Sequence, residues 1–310
     1  MYKEILASFM EEFSFPPEAR ETFLSCYDTL CALPQTRENL EQIVLAYGNN
    51  LHFDNESVCA KIRETADLCR VQPETVFMLV AILYADVAKE YYRTFGISRE
   101  VYHTTMMDLS YKLTECKLLY NVWGTFVFTW FCGFFHLRRF GFSRLQFELT
   151  RFGRKLELDG VCLFPGDCVL GVHIPRTGTR LDHGEVLRSY AEAAAFFAPV
   201  LRRDVTPFVC HSWLLNPQNK AFLGPDSNIS RFLSDFTLLE SGLDENLGEI
   251  WRLFDKEYDG DLSHLPADTS LRRAYLDHFR AGGRFGWGYG IFLRRPDPSP
   301  DSSRCAKEVL

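Results

Sequence analysis

The apolar positions of residues 1–123 recur with the period of an α-helix, and one segment is apolar on almost every side. That segment covers residues 73–92 and includes Val76, Leu79 and Ile82. A helix without a polar face belongs in the interior of a bundle, because none of its sides favours water. Ser98 is placed to cap a second long helix that ends near residue 120. We therefore predict an all-helical domain over residues 1–123.

The period changes from that of a helix to that of a strand soon after residue 124. Leu145, Phe147 and Leu149 alternate with polar residues, which is typical of a strand with one buried face. Residues 155–164 and 168–174 have the composition of two further strands, with turn residues between them. We predict that these three strands form an antiparallel meander.

A loop over residues 175–180 follows the third strand, and a helix begins after it near Asp182. The N-terminus of a helix presents unpaired backbone N–H groups and a partial positive charge, so this junction can bind an anion. Asp182 and Glu185 have the spacing of a capping box, which would satisfy the same N–H groups within the chain. Both interpretations stay open at this point.

Strands and helices alternate through the rest of the chain up to residue 295. Residues 205–215 and 284–295 are predicted strands, and the glycines of the second indicate a close approach to its backbone. A helix is expected to run from Asp244 to about residue 254. The predicted fold class is α+β, with an all-helical N-terminal domain followed by a mixed sheet flanked by helices over residues 124–295. Residues 296–310 are predicted to be a flexible tail.

Composition and charge narrow the classes of partner. The 310 residues are 46% apolar, including 27 Phe, and can bury a large core. The net charge of −7 argues against nucleic acid or an anionic membrane, since either requires a basic surface. None of the ten cysteines forms a C-x-x-C pair, so we expect reduced thiols, a cytoplasmic protein and no metal. The most apolar run, residues 122–137, is interrupted and too short to span a membrane.

Five short motifs occur in order between about residues 140 and 292. They are RLQFE at residues 144–148, VHIP at 172–175, CHSWLL at 210–215 with Pro217, DSNI at 226–229 with Phe232, and FGWGYG at 285–290. With these motifs the C-terminal half resembles the GNAT-like domain of a bacterial family of acyltransferase-domain-containing proteins. The N-terminal part of that family is a separate helical domain, which the helical half of this chain matches in position and character.

The resemblance implies where a thioester donor would bind. In the GNAT fold the pyrophosphate of acyl-CoA lies on backbone N–H groups between the fourth strand and the next helix. The implied cofactor-binding loop consists of Arg176, Thr177, Gly178, Thr179 and Arg180, and its two arginines suit phosphate. The loop lacks the glycine spacing of the GNAT pattern Q/R-x-x-G-x-G/A. The helix expected after Leu215 contains no tyrosine, although many GNAT enzymes place a tyrosine general acid there.

Acyl transfer to an amine needs a bound thioester, a base and a proton donor for the leaving thiolate. Glu148 and His173 are the candidate bases, and Ser212 is the candidate donor. Cys210 is a candidate nucleophile that His173 would activate, since strand alternation places His211 on the opposite face. The expected substrate pocket contains Gln146, His211, Trp213 and Asn228.

The sequence thus predicts a GNAT-like N-acyltransferase that moves an acyl group from acyl-CoA, or from a carrier-protein thioester, to an amine on a small molecule or a peptide. A homodimer is compatible with this prediction. Two alternatives stay open: a non-catalytic binding or sensing module on the same scaffold, and a Cys–His enzyme that forms an acyl-enzyme. A divergence of two neighbouring strands beside residues 176–180 would favour the first prediction, since it would admit the pantetheine arm of CoA.

Overall fold

The computed structural model describes residues 2–295. Six helices form most of the N-terminal half, and the fifth is buried along most of its length. They are α1 (Tyr2–Glu12), α2 (Pro17–Ala32), α3 (Pro34–Asn49), α4 (Asn55–Cys69), α5 (Pro73–Thr94) and α6 (Arg99–Tyr120). The hydroxyl of Ser98 accepts a hydrogen bond from the Val101 N–H at 3.2 Å and so caps α6. The predicted central helix and its long neighbour are both confirmed.

A seventh helix, α7 (Phe128–Phe135), joins the helical half to the sheet. The hydroxyl of Tyr47 donates to the Phe135 carbonyl at 2.8 Å, and the hydroxyl of Tyr92 donates to the Phe134 carbonyl at 3.3 Å. These bonds attach α7 to the helical bundle. The boundary predicted between residues 123 and 124 therefore lies before a helix that packs with the N-terminal half.

The C-terminal half contains a six-stranded mixed sheet and a separate two-stranded hairpin. Within residues 2–295 the strands are β1 (Arg139–Phe142), β2 (Leu145–Arg151), β3 (Leu156–Leu158), β4 (Val161–Leu163), β5 (Cys168–His173), β6 (Thr206–Ser212), β7 (Thr237–Leu243) and β8 (Gly286–Arg294). The sheet has the order β1-β2-β5-β6-β8-β7, and β5 and β6 are its parallel pair. The predicted fold class, helices followed by a mixed sheet with flanking helices, is confirmed.

The predicted meander through residues 155–164 is wrong. β2 pairs directly with β5, while β3 and β4 pair only with each other. Two backbone bonds explain this: the Phe152 N–H donates to the Asp167 carbonyl, and the Gly166 N–H donates to the Phe152 carbonyl, both at 2.8 Å. They bring the end of β2 to the start of β5 and leave the residues between as an excursion. The third antiparallel strand is β1, which the sequence pattern did not indicate.

The remaining helices flank the sheet or extend from one end of it. They are α8 (His183–Leu201), α9 (Asn219–Phe222), α10 (Asn228–Ser234), α11 (Trp251–Phe254) and α12 (Ser270–Arg280). The buried ring of Tyr190 on α8 packs against the rings of Phe147 and Phe208, so α8 covers one face of the sheet. The helix expected from Asp244 is shorter than predicted, because only α11 forms there. Among residues 2–295 no helix is long and apolar enough to cross a membrane.

The strand predicted over residues 205–215 is also shorter, because β6 ends at Ser212. The chain then forms a 3₁₀ turn over Trp213–Leu215. This turn packs so closely on β8 that a Cβ atom at Gly288 would lie 2.2 Å from the Leu215 carbonyl oxygen. The prediction of a close approach at the glycines of this strand is confirmed.

Candidate active site

The parallel strands β5 and β6 pair over only part of their length. Leu170 is the partner of Phe208 and Gly171 the partner of Val209, and the parallel ladder contains no further pair. β5 nevertheless continues its ladder with β2 to residue 173, and β6 continues its ladder with β8 to residue 212. The ladder between these two strands therefore ends before either strand does, which leaves an opening in the hydrogen bonding of the sheet where the 175–180 loop begins.

Glu148 and His173 lie on the same face of the sheet beside this opening. Glu148 Oε2 is 3.2 Å from His173 Nε2 and accepts a hydrogen bond from Arg139 Nε at 3.1 Å. Arg139 Nη2 also donates to the same oxygen. The hydrogen bond to His173, together with the Arg139 charge, lowers the pKa of Glu148 to about 2. The carboxylate is therefore ionised at neutral pH and too weak a base to accept a proton from an amine.

His173 has the properties of a base at neutral pH. Burial lowers the pKa of its imidazole, although the neighbouring carboxylate opposes that effect. Its side chain is still 32% exposed, so a ligand in the opening can reach it. With its Nε2–H assigned as the donor to Glu148, Nδ1 is left as a proton acceptor. Glu148 and His173 thus form an oriented pair rather than two alternative bases.

The helical half contributes to this pair through α7. The Arg139 guanidinium lies 3.5 Å from the centre of the Trp130 ring, and Arg139 Nη1 donates to the Trp130 carbonyl at 2.8 Å. The His173 ring meets the same indole edge-on, with ring centres 4.9 Å apart. Sequence reasoning did not identify Arg139 or Trp130, because neither belongs to a recognisable motif.

The five residues of the 175–180 loop predicted to bind a cofactor have different environments. Arg176 forms an ion pair with Asp255, which also pairs with Arg272. The hydroxyls of Thr177 and Thr179 are 2.8 Å apart, and Gly178 between them has a φ of 77°. The Arg180 side chain is exposed and has no hydrogen-bond or ion-pair partner within residues 2–295. Arg180 is therefore the cation of the loop that is available to an anion.

Arg144 fixes both ends of this loop. Its Nη1 donates to the Pro175 carbonyl at 2.9 Å and its Nε to the Arg180 carbonyl at 3.4 Å. Arg144 belongs to the RLQFE motif, which could have indicated a role. At the start of α8, the Asp182 carboxylate accepts from the Glu185 N–H at 3.1 Å, as the capping interpretation expects.

The structure places Cys210, the candidate nucleophile, away from the Glu148–His173 pair. Cys210 lies on the α8 face of β6 together with Phe208, and it is only 1% exposed. Burial raises the pKa of its thiol, so the thiol stays protonated. His211 points to the opposite face, as alternation predicts, and its ring packs against Trp287 with centres 4.6 Å apart. Glu148, His173 and His211 therefore share one face of the sheet, from which Cys210 is separated.

Two other predicted site residues stabilise the turn after β6. The Ser212 hydroxyl accepts a hydrogen bond from the Leu214 N–H at 3.2 Å, and its own proton is still available for donation. The Trp213 ring packs against Tyr275 and Phe285 in a small core that α12 shares. Trp213 is therefore no longer a strand residue, and its ring is engaged in packing.

The last two predicted pocket residues lie in different places. Gln146 is 2% exposed and lines a cleft of about 210 Å³ between α6 and the loop, together with Tyr111 and Thr177. Asn228 begins α10 and is half-buried. Within residues 2–295 no group of three or more His, Cys, Asp or Glu side chains is arranged to hold a metal ion.

Family comparisons agree with this architecture. Residues 4–137 match the N-acyltransferase N-terminal domain, and residues 137–292, half of the chain, match the GNAT-like C-terminal domain. The crystal structure of an acyltransferase in complex with decanoyl-CoA and teicoplanin has a TM-score of 0.71 and 21% identity, covering 93% of this chain and 87% of that chain. An acyltransferase mutant in complex with octanoyl-CoA has a TM-score of 0.71 and 20% identity, with coverage of 94% and 88%. No curated protein matches the sequence. The GNAT-like fold is confirmed.

Proposed function

We propose that the protein transfers an acyl group from acyl-CoA to an amine on a small molecule or a peptide. The chain belongs to the family that joins an N-acyltransferase N-terminal domain to a GNAT-like C-terminal domain. The early end of the ladder between β5 and β6 beside His173 carries this proposal. The similar folds that hold decanoyl-CoA or octanoyl-CoA support a medium-length acyl donor. The complex with teicoplanin supports an amine on a glycopeptide or a similar small molecule as the acceptor.

The opening between the strands suits the pantetheine arm of CoA. Residues past Gly171 on β5 and past Val209 on β6 have no ladder bonds with each other. Their facing backbone groups, which are not paired with each other, can pair with the amides of an extended ligand, much as a sheet edge accepts an added strand. The phosphates would then lie at the 175–180 loop, where Arg180 offers a charge-assisted contact.

His173 is the base of the proposed reaction. The acceptor nitrogen attacks the thioester carbonyl, the new C–N bond forms, and the C–S bond to CoA breaks. The imidazole takes the proton that the nitrogen loses, and the ionised Glu148 stabilises the resulting imidazolium. The leaving thiolate receives a proton from water, because alternation along β6 places the Ser212 side chain with Cys210 on the opposite face of the sheet. The acyl group passes directly to the acceptor, because Cys210 is closed off from this face of the sheet.

A second candidate is a module that binds an acyl-CoA without transferring its acyl group. The ion pair between Arg176 and Asp255 favours it, because this pair removes one of the two loop cations from phosphate binding. The absence of the GNAT glycine pattern in the loop also favours this second candidate.

The test combines a binding measurement with a transfer assay. Thermal unfolding with CoA, acetyl-CoA, octanoyl-CoA or decanoyl-CoA at millimolar concentration reports binding, and release of the CoA thiol in the presence of an amine panel reports transfer. We expect stabilisation by CoA, and amine-dependent thiol release that is lost in His173→Gln and kept in Cys210→Ala. Stabilisation without thiol release would favour the second candidate. The absence of any stabilisation would contradict both.

A further inference from the structure

Trp130 contacts both residues that bind Glu148, although it belongs to the helical half. Its ring carries the Arg139 guanidinium on one face, and His173 meets the same ring edge-on. Its carbonyl also accepts a hydrogen bond from Arg139. A cation on an indole face and a perpendicular ring pair are both geometrically specific contacts. One side chain therefore constrains the two hydrogen-bond donors of the carboxylate at the same time.

Trp130 is in turn fixed by a buried carboxylate. Its indole Nε1–H donates to Oδ2 of Asp108, a fully buried residue of α6, at 2.9 Å. The other carboxylate oxygen has no hydrogen bond of ordinary geometry within residues 2–295, although the side chain of Gln146 lies close enough to interact with this carboxyl. Lys112 is a cation near this carboxyl, but it is paired with Glu115 at 2.7 Å. Burial raises the pKa of this carboxyl above its usual range, which shows that holding an acidic side chain here is costly, so stability does not explain its presence.

We propose that Asp108 and Trp130 are positioning residues of the active site, through which the helical half orients Arg139 and His173 around Glu148. The inference rests on the proposed acyl transfer for its catalytic meaning. Neither residue touches a reacting atom; each acts through the side chain next to it.

The arrangement has two measurable consequences. Loss of the Trp130 ring frees Arg139 and exposes His173, so kcat falls, while the KM for acyl-CoA changes little because the loop is held by other contacts. The charged groups that face His173 are Glu148, which raises the pKa of its imidazole, and Arg139, which lowers it. Burial is the largest effect and lowers that pKa, so removal of the indole moves the pKa of His173 upward.

Four variants separate positioning from general damage. Trp130→Leu removes the ring, Trp130→Phe and Asp108→Leu each remove the N–H···O bond, and Asp108→Asn keeps an oxygen acceptor for the indole. Trp123→Leu is the matched control, because the Trp123 ring contacts Lys117, away from the site. We expect kcat to fall about 30-fold in Trp130→Leu, with KM for decanoyl-CoA within about twofold. The variants that lose one bond should each fall about three- to tenfold, and Asp108→Asn should stay near the parent.

The double variant Asp108→Leu/Trp130→Phe tests the order of the contacts. Both substitutions delete the same hydrogen bond, so the double variant should lose no more activity than the worse single variant. Losses that multiply would overturn the claim that Asp108 acts through Trp130.

A second measurement does not depend on acyl transfer. NMR titration of protein labelled with ¹⁵N-histidine gives the pKa of His173 in each variant, with circular dichroism as the check on folding. We expect an upward shift in Trp130→Leu and no shift in Trp123→Leu. A folded Trp130→Leu protein with the pKa of His173 unchanged would overturn the positioning role, whether or not the parent transfers an acyl group. A parent without transfer activity but with the expected shift would contradict only the proposed function.

Discussion

Because of the ion pair and hydrogen bonds of Glu148, the unfolding free energy should fall as the pH is lowered into the acid range. The substitution Glu148→Gln should remove this part of the pH dependence. Glu148→Gln deletes the titrating group and leaves Arg139, only 10% exposed, without its counter-charge. The pKa of Glu148 is lowered from 4.5 to about 2 by His173 and Arg139. This difference corresponds to about 3 kcal/mol of folding free energy, as an order of magnitude. We expect Glu148→Gln to lose a comparable amount at pH 7.

The sign of the pH dependence follows from the direction of the pKa change. A carboxylate with a lowered folded-state pKa contributes its full stabilisation above pH 4.5 and loses it as the pH falls toward 2. The difference in unfolding free energy between the parent and Glu148→Gln should therefore shrink by about 2 kcal/mol between pH 7 and pH 3. Other carboxylates titrate in both proteins and cancel in the difference.

Urea unfolding followed by tryptophan fluorescence at both pH values measures this difference. Glu240→Gln is the matched control, because Glu240 pairs with Arg154 at 2.8 Å on the surface, with side chains 52% and 44% exposed. An exposed pair of this kind contributes about 0–1 kcal/mol, so the control should differ little from the parent at either pH. A Glu148→Gln difference that is independent of pH, or that grows in acid, would refute the reasoning.

Three further predictions test the loop, the base and the packing of the sheet. Arg180→Gln should weaken CoA binding about tenfold by calorimetry, because it removes the available cation of the loop. The control Arg188→Gln, which alters an exposed ion pair on α8, should leave the affinity for CoA unchanged. Equal affinities of the parent and Arg180→Gln would contradict the placement of the phosphates. His173→Gln should lower kcat about 100-fold or more. In the parent, the midpoint of the acid limb of the kcat/KM profile should lie below pH 6.5, since burial lowers the pKa of His173. A midpoint above that pH would argue against this base. Gly288→Ala should lower the unfolding free energy, measured by thermal unfolding, by about 2 kcal/mol or more, because its Cβ would meet the Leu215 carbonyl. Gly248→Ala, with open space around it, should change the unfolding free energy little in the same measurement.

The sequence predicts the elements whose pattern is regular. The all-round apolar helix α5, the capped start of α6 at Ser98 and the alternating strand β2 each have a local signal in the chain, and the structure contains all three. The same alternation places Glu148 on the polar face of β2, which makes its approach to His173 foreseeable once the pairing of β2 with β5 is known.

Where the prediction fails, the decisive contacts are distant in sequence. α7 has no periodic pattern, because almost all of its residues are apolar, and β1 is four residues long. Alternation separates Cys210 from His211 without showing which face is buried, and only the position of α8 decides that. The bond between Asp108 and Trp130 joins residues of two different helices, so no local pattern could indicate it.

The 175–180 loop, which lacks the GNAT glycine pattern, is held in place by contacts from α11 and the residue that follows it. The residue after this helix, Asp255, holds Arg176 of the loop and Arg272 of α12. Trp251 of the same helix packs against Phe126, with ring centres 5.8 Å apart, and so reaches the segment before α7. The loop is therefore attached through α11 to the helical half, which also holds Arg139 through Trp130. An α-helical half that contacts both the loop and the Glu148–His173 pair explains how a loop without the usual glycine pattern can keep a defined position beside the opening in the sheet.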